Sequence, residues 1–393
     1  MKASGPRDLA DVYRLKRSAA GSLWKTHHDP PPQNPLQFLK NNWGPWIAHY
    51  FGVMFHARHT FNHYRVGNGI FTMPDSVTVA LAADWGTGTR PAYRVAKLIS
   101  DREPAVTIHM GDVYFSGTPE EYKDWFLGTE DWPHGSQYTF AMNANHEMYS
   151  GGEGYFETAL RALNQEASYF CLENNHWRIL GLDSGYYSGI LPLIEKFWHS
   201  RIRLHEDIMQ WLRSVVFPNA ADPRPVIVLT HHQLFSAFDS GYSTIGKNLA
   251  PYLDRVLLWF WGHEHRFGGY GPVSVDGLPT IRARCIGHGG MPVELDARPH
   301  DSRARETNLV FYDDRRNAES SAALQTPIGY CGFAVLRLDG PLLTVEYIDE
   351  NGNLLLTESW NRSAGIPVGR ADAGVQPLHV VHPNGLDGLV HPR

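Results

Sequence analysis

Asp84, Asp112, Asn145, His231, His263 and His265 share one placement: each stands just past the carboxyl end of an apolar, strand-like run. "SVTVALAADWG" stops at Asp84, "AVTIHMGD" at Asp112, and "YTFAMNANHE" gives way to Asn145, His146 and Glu147. "RPVIVLTHH" ends in His231 and His232, and "VLLWFWGHEH" delivers His263 and His265 two residues apart. A lone His-x-His is as well explained by a polar loop. Five such strand ends in one chain are a different matter, because ligands of open α/β sheets bind in the crevice beyond the carboxyl ends of the strands. Carboxylate, amide oxygen and imidazole, with no cysteine among the candidates, suit Mn, Fe or Zn better than a thiolate-bound structural zinc. Two such ions about 3.5–4 Å apart lower the pKa of a bound water to about 7 and clamp the attacking and leaving oxygens of an in-line displacement. Phosphorus is the natural target, since phosphoryl transfer needs charge stabilisation more than a covalent nucleophile.

The elements that must position these residues can be followed along the chain. Helix candidates separate the strand-like runs: "PAYRVAKLISDRE", "PEEYKDWFLG", "GYFETALRALNQE" and "RLHEDIMQWLRSVVF". Strands alternating with helices argue for βαβ units. "SYFCLENNHWRILGLD" instead predicts a strand pair around a polar turn. "FAVLRLDGPLLTVEYIDENGNLLLTESW" predicts consecutive antiparallel strands joined at Asp-Gly and Asn-Gly turns. The region 299–326 is charged and poor in apolar residues and is expected to be an exposed loop. Three segments result: an N-terminal extension over 1–75, a catalytic domain over 76–362, and an extended or disordered tail over 363–393. The extension holds the proline-rich strap "HHDPPPQNP" and an aromatic segment over 36–64 that predicts one or two short helices. That segment would cover the site, form a subunit contact in a homo-oligomer, or pack into the core.

In order and type, "DWG", "GDVY", "NANHE", "THH" and "GHEH" resemble the five blocks of the calcineurin-like metallophosphoesterases. The resemblance covers residues 77–290 and implies an α/β (α+β) fold of four layers, a two-sheet β-sandwich flanked by helices. It implies two divalent or trivalent metal ions, Fe, Mn or Zn. Asp112 would bridge them, with Asp84 and His265 on one ion and Asn145, His231 and His263 on the other. It also implies catalysis by a metal-bridging hydroxide attacking phosphorus in line, with His146 assisting the leaving group. Gly86 stands where most of the family has a histidine, a variant that looks like the purple acid phosphatase branch, in which a tyrosine three residues after the bridging aspartate binds iron. Here that position is Phe115, and the tyrosine is Tyr114, one residue earlier. On an extended chain a one-residue shift turns a side chain to the other face, so Tyr114 becomes a ligand only if the loop is bulged or shortened.

Other polar residues near the blocks divide by role. His232, Glu264, Glu147 and Asp183 are expected to orient the ligands, and His288 either faces the site or sits in a plain turn. His56, His59 and His63 have the spacing of one helical face, which suits a half-polar helix better than a further metal site. Composition agrees with a packed soluble enzyme: 393 residues, 42% hydrophobic and 19% charged. A net charge of −6 without a basic run argues against nucleic acid and for a small-molecule phosphoester, a monoester ahead of a diester. The amino end lacks the apolar core of a signal peptide, no stretch reaches membrane-spanning length, and Cys171, Cys285 and Cys331 suit reduced residues of a cytoplasmic protein. The alternatives are a non-catalytic scaffold that kept the fold, or a metal site used for non-hydrolytic chemistry.

Overall fold

A computed structural model describes residues 58–390 apart from 129–130, 189–201, 220, 297, 363–374 and 382–388. The strands in chain order are β1 (Ile70–Thr72), β2 (Ser76–Ala82), β3 (Val106–His109), β4 (Tyr138–Ala141), β5 (Phe170–Glu173), β6 (Arg178–Gly181), β7 (Val226–Thr230), β8 (Val256–Trp261), β9 (Phe267–Val273), β10 (Ile281–Ile286), β11 (Leu309–Asp313), β12 (Gly332–Asp339), β13 (Leu342–Asp349), β14 (Leu354–Arg362), β15 (Val375–Val381) and β16 (Leu389–Val390). They form a nine-stranded sheet, β1-β5-β6-β7-β8-β10-β9-β11-β16, and a seven-stranded sheet, β15-β14-β13-β12-β2-β3-β4. The strands that deliver the site pair in parallel, β2 with β3 and β3 with β4 in one sheet, β7 with β8 in the other. Their carboxyl ends therefore point to one edge of the sandwich.

Alternation of side chains builds the layers. Val77, Val79 and Leu81 of β2 face the core between the sheets, where they meet Ile227, Leu229, Leu258 and Phe260. Ala80 and Ala82 face the other way, onto α1 (Arg90–Ser100) and α2 (Pro119–Trp125). α1 starts at Thr89, whose side chain accepts from Ala92 N, with a proline in its first turn. α2 starts with a reciprocal capping box between Thr118 and Glu121. Trp259 and Trp261 of β8 pack outward against Leu212, Val216 and Ile245, so β8 is buried on both faces. The alternation of β8 slips at Leu257 and Leu258, where its pairing with β7 shifts register. The result is the expected two-sheet sandwich with helices on both outer faces.

The hairpins are as the turn chemistry requires: β12 pairs with β13, β13 with β14, and β5 with β6, all antiparallel. Three expectations are corrected and one, the extended tail, is made more specific. The region 299–326 is no loop but two helices, Asp301–Glu306 and Ala318–Leu324, on either side of β11. Its few apolar residues suffice because Leu309 and Phe311 are both buried where β11 pairs with β9. Within the tail over 363–393, β15 adds to the seven-stranded sheet and β16 to the nine-stranded one, so backbone pairing replaces the missing periodicity. Within the extension over 1–75, β1 pairs with β5 and belongs to the sandwich. Residues 58–64 form no helix: His59 pairs with Glu157 at 2.8 Å while His63 is exposed, so the shared helical face does not exist there. His56, the strap and the rest of the aromatic segment lie outside the described residues. Cys171, Cys285 and Cys331 are buried thiols, and none forms a disulfide among the described residues. Among the described residues no helix is long and apolar enough to cross a membrane.

Candidate metal centre

Three of the strand ends turn sharply where they deliver their side chains. Asp84, Asp112 and His263 hold left-handed backbone, with φ of 57°, 70° and 65°. Such conformations cost on the order of 1–3 kcal/mol each in non-glycine residues and persist only where neighbours fix them. The neighbours here are backbone groups: Asp84 N–H donates to Gly111 O, and Met291 N–H donates to Asp84 O, both at 3.0 Å. Glu147 Oε2 accepts from Asp112 N at 3.2 Å and Oε1 from Val113 N at 2.8 Å. The glycine that ends β8 is a matter of space, since a Cβ on Gly262 would lie 2.5 Å from Ala83 Cβ and 2.6 Å from Asp84 Oδ2. Without it, His263 N–H could not reach Asp84 Oδ2 at 2.9 Å.

Two groups of donor atoms meet there and share Asp112: Asp84, Asp112 and His265, and Asp112, His231 and His263, with ligand atoms inside each group within 4.8 Å of one another. His265 Nε2 lies 3.2 Å from Asp84 Oδ1, and His231 Nε2 3.4 Å from Asp112 Oδ2. Asn145 Oδ1 joins the second group, 3.1 Å from His263 Nδ1. Tyr114 also enters the centre. Its hydroxyl lies 2.9 Å from Asp84 Oδ1, 3.1 Å from Asp112 Oδ2 and 3.0 Å from His265 Nε2. The alternation rule fails at Tyr114 because Asp112 is left-handed, so the chain across 112–114 is not extended. The missing imidazole at Gly86 has a local cause as well: a Cβ there would meet Val113 Cα at 2.8 Å.

The donor set fits cations. His231 is buried, its Nδ1 is held by Met110 O at 3.0 Å, and its Nε2, 3.4 Å from Asp112 Oδ2, makes no well-formed hydrogen bond. A buried polar atom without a partner is costly unless something supplies one. Burial pushes the Asp84 carboxyl up to about 7 against the pull of His231, with Asp112 adding to the rise. For Asp112 burial acts in the same direction, but His146 and His231 outweigh it and hold the carboxyl well below its ordinary value. Burial disfavours charge on His231, and Asp112 overrides it and raises the imidazole to about 10. Buried carboxylates balanced by imidazole protons are groups a metal ion would bind with release of those protons.

The remaining residues fall around this centre. His146 Nε2 lies 3.8 Å from Asp112 Oδ2 and its Nδ1 is 2.7 Å from Phe115 O. Glu147 also accepts from Tyr122 Oη at 3.0 Å, and Asp183 accepts from Asn143 Nδ2 at 3.1 Å and from Gly185 N. His232 Nδ1 lies 3.1 Å from Ser184 Oγ, and Glu264 accepts from Ser236. His288 does not face the centre: it is buried against Phe267, ring centroids 5.3 Å apart, in a loop whose Gly289 N–H donates to Ala83 O. Sequence reasoning missed Tyr149, which contacts Asn145 Nδ2 at 2.9 Å, and Tyr242, 3.3 Å from His263 Nε2. A signal existed only for Tyr149, four residues after Asn145 in a helical turn.

Residues 77–267 match the calcineurin-like phosphoesterase family model. No curated protein matches the chain. Among solved structures the chain is similar to purple acid phosphatase PPD1 from yellow lupin (Lupinus luteus) seeds, with 15% identity and a TM-score of 0.48 over 76% of this chain. The match spans 57% of the length of the lupin protein. It is also similar to PhoD, with 12% identity and a TM-score of 0.46 over 80% of this chain and 73% of that one. With the motif blocks at the strand ends lying inside the matched segment, residues 77–267 carry a calcineurin-like phosphoesterase domain.

Proposed function

We propose that this chain is a dinuclear phosphoester hydrolase acting on a small molecule in the cytoplasm, a monoester in preference to a diester. The observation that carries the reading is the pair of donor groups sharing Asp112. Asp84, His265 and Tyr114 would hold one ion, and Asn145, His231 and His263 the other, with Asp112 between them. When bound, the two ions supply positive charge against the phosphoryl oxygens and an activated water for in-line attack. His146 is placed to move a proton. Phe115 O can only accept, so Nδ1 of His146 carries hydrogen, and Nε2, the atom that faces Asp112, is the nitrogen left to pass a proton on. A proton held at Nε2 is available to the departing alkoxide, a role worth about 100- to 10,000-fold in rate. The acidic net charge of −6 supports a small phosphoester over nucleic acid.

The Tyr114 hydroxyl, within 3.1 Å of Asp84, Asp112 and His265 side-chain atoms, favours one refinement: a tyrosinate ligand to iron. Elemental analysis of the purified protein with its visible spectrum tests both levels. Two metals per chain and a tyrosinate-to-iron band support the iron site. Two metals without colour support the hydrolase and refute the tyrosinate, and a panel of phosphomono- and diesters then defines the substrate class. No metal after reconstitution with Mn, Fe and Zn refutes the dinuclear reading.

A further inference from the structure

We propose that Tyr149 and Tyr242 are positioning residues for one ion of the pair, fixing Asn145 and His263 from outside the donor set; this rests on the dinuclear reading above. An asparagine amide has two ends, and only the carbonyl oxygen binds a cation. Asn145 Nδ2 donates to Tyr149 Oη at 2.9 Å, which turns Oδ1 inward, 3.1 Å from His263 Nδ1. The helical turn that starts at Asn145 makes this contact local: Tyr149 N–H donates to Asn145 O at 3.1 Å, so both side chains leave the same face. The Tyr149 ring also packs on His146, with centroids 4.8 Å apart.

His263 is held in the same manner. Its outer nitrogen, Nε2, lies 3.3 Å from Tyr242 Oη, which leaves Nδ1 facing Asn145 Oδ1. Tyr242 is itself anchored, buried with its N–H donating to Gln233 O at 3.0 Å and its ring edge-on to His232 at 4.9 Å. A partner on the outer atom of a ligand fixes tautomer and orientation, and its loss typically lowers metal affinity about 10- to 100-fold. Both phenols serve ligands of the same ion, whereas Tyr114 reaches Asp84 and His265 from within the donor set. Their removal should therefore separate the two ions.

The test is titration of the metal-free full-length chain with Mn²⁺, followed by calorimetry, for wild type, Tyr149→Phe and Tyr242→Phe. Each variant should keep one Mn²⁺ step unchanged and weaken the other about tenfold or more. The thermal midpoint of the metal-free protein is recorded beside each titration to separate positioning from folding. Should Tyr242→Phe fail to fold, Tyr149→Phe, at a half-buried position, decides alone. Two unaltered Mn²⁺ steps in the variants would overturn the inference and leave the dinuclear reading standing. Fewer than two steps in wild type would overturn that reading instead. In an Asn145→Ala background, Tyr149→Phe should weaken Mn²⁺ no further, and an additional loss there would show that the hydroxyl does not act through Asn145.

Discussion

Gly86 invites an experiment, restoration of the histidine most of the family carries, and the structure predicts that it fails. A Cβ at Gly86 would meet Val113 Cα and Cγ2 at 2.8 Å and Asp112 O at 3.1 Å. Val113 Cα is backbone and cannot rotate away, and the segment it belongs to is bridged to Gly86 by two hydrogen bonds, Gly86 N to Asp112 O at 3.3 Å and Tyr114 N to Gly86 O at 2.9 Å. Overpacking of this kind costs about 1–3 kcal/mol. The backbone of Gly86 is not left-handed, so Gly86→Ala also stiffens the unfolded chain and recovers about 0.4–1 kcal/mol. The packing cost is the larger, leaving Gly86→Ala destabilised by about 1–2 kcal/mol and Gly86→His by more. Urea unfolding of the metal-free protein should show the midpoint lower by on the order of half a molar for alanine, with the slope unchanged. Because the segment pushed aside carries Asp112 and Tyr114, Mn²⁺ affinity should fall in both variants. A Gly86→His protein of undiminished stability that binds metal more tightly would refute the steric account.

Three further outcomes are expected. Asp112→Asn, which keeps the shape and removes the charge shared by both donor groups, should abolish metal content and turnover together; retention of either ion by elemental analysis contradicts the bridging role. His146→Ala should keep both metals and lose about 100- to 10,000-fold in turnover on esters with poor leaving groups, with a smaller loss on activated aryl esters; equal losses on both would remove the proton-donor role. Burial pushes Glu350 from its ordinary 4.5 up to about 7, against the pull of Cys331 N–H, Arg94 and Asn317. Between those values the folded chain keeps a proton that the unfolded chain has released, so stability falls as pH rises through the window and is level above it. At about 1.4 kcal/mol per pH unit the drop is on the order of 3 kcal/mol. Glu350→Gln should make that part of the pH–stability profile shallower by Glu350's share, and a profile parallel to wild type would show that Glu350 does not keep its proton.

The strand ends were legible because two signals coincide there, a both-sides-buried apolar run and a hard ligand immediately after it. Asn-Gly and Asp-Gly turns made β12 to β14 equally plain. What escaped depends on contacts distant in sequence. β11 and its flanking helices lie in a charged stretch and exist because β9 accepts Leu309 and Phe311, some forty residues away. β15 is specified by pairing with β14 and has no alternation of its own to announce it. Tyr114 was ambiguous because period-two reasoning presumes an extended chain, which the left-handed Asp112 interrupts. Tyr242 acquires its role only when α/β packing brings it against His263, 21 residues on.

The turns at Asp84, Asp112 and His263 are secured by the chain's own carbonyls, amides and the Glu147 carboxylate. That distinguishes the centre from small zinc domains, in which cargo and fold arrive together. A cradle shaped by its scaffold can be emptied and refilled: chelation should silence the protein reversibly while the sandwich stays intact. Oxygen and imidazole donors also follow the general affinity order of divalent metals and do not single out one ion. Where the site of Asn145, His231 and His263 holds a divalent ion, local supply would decide which one, and the same polypeptide recovered from manganese-rich and zinc-rich media would differ in that occupant.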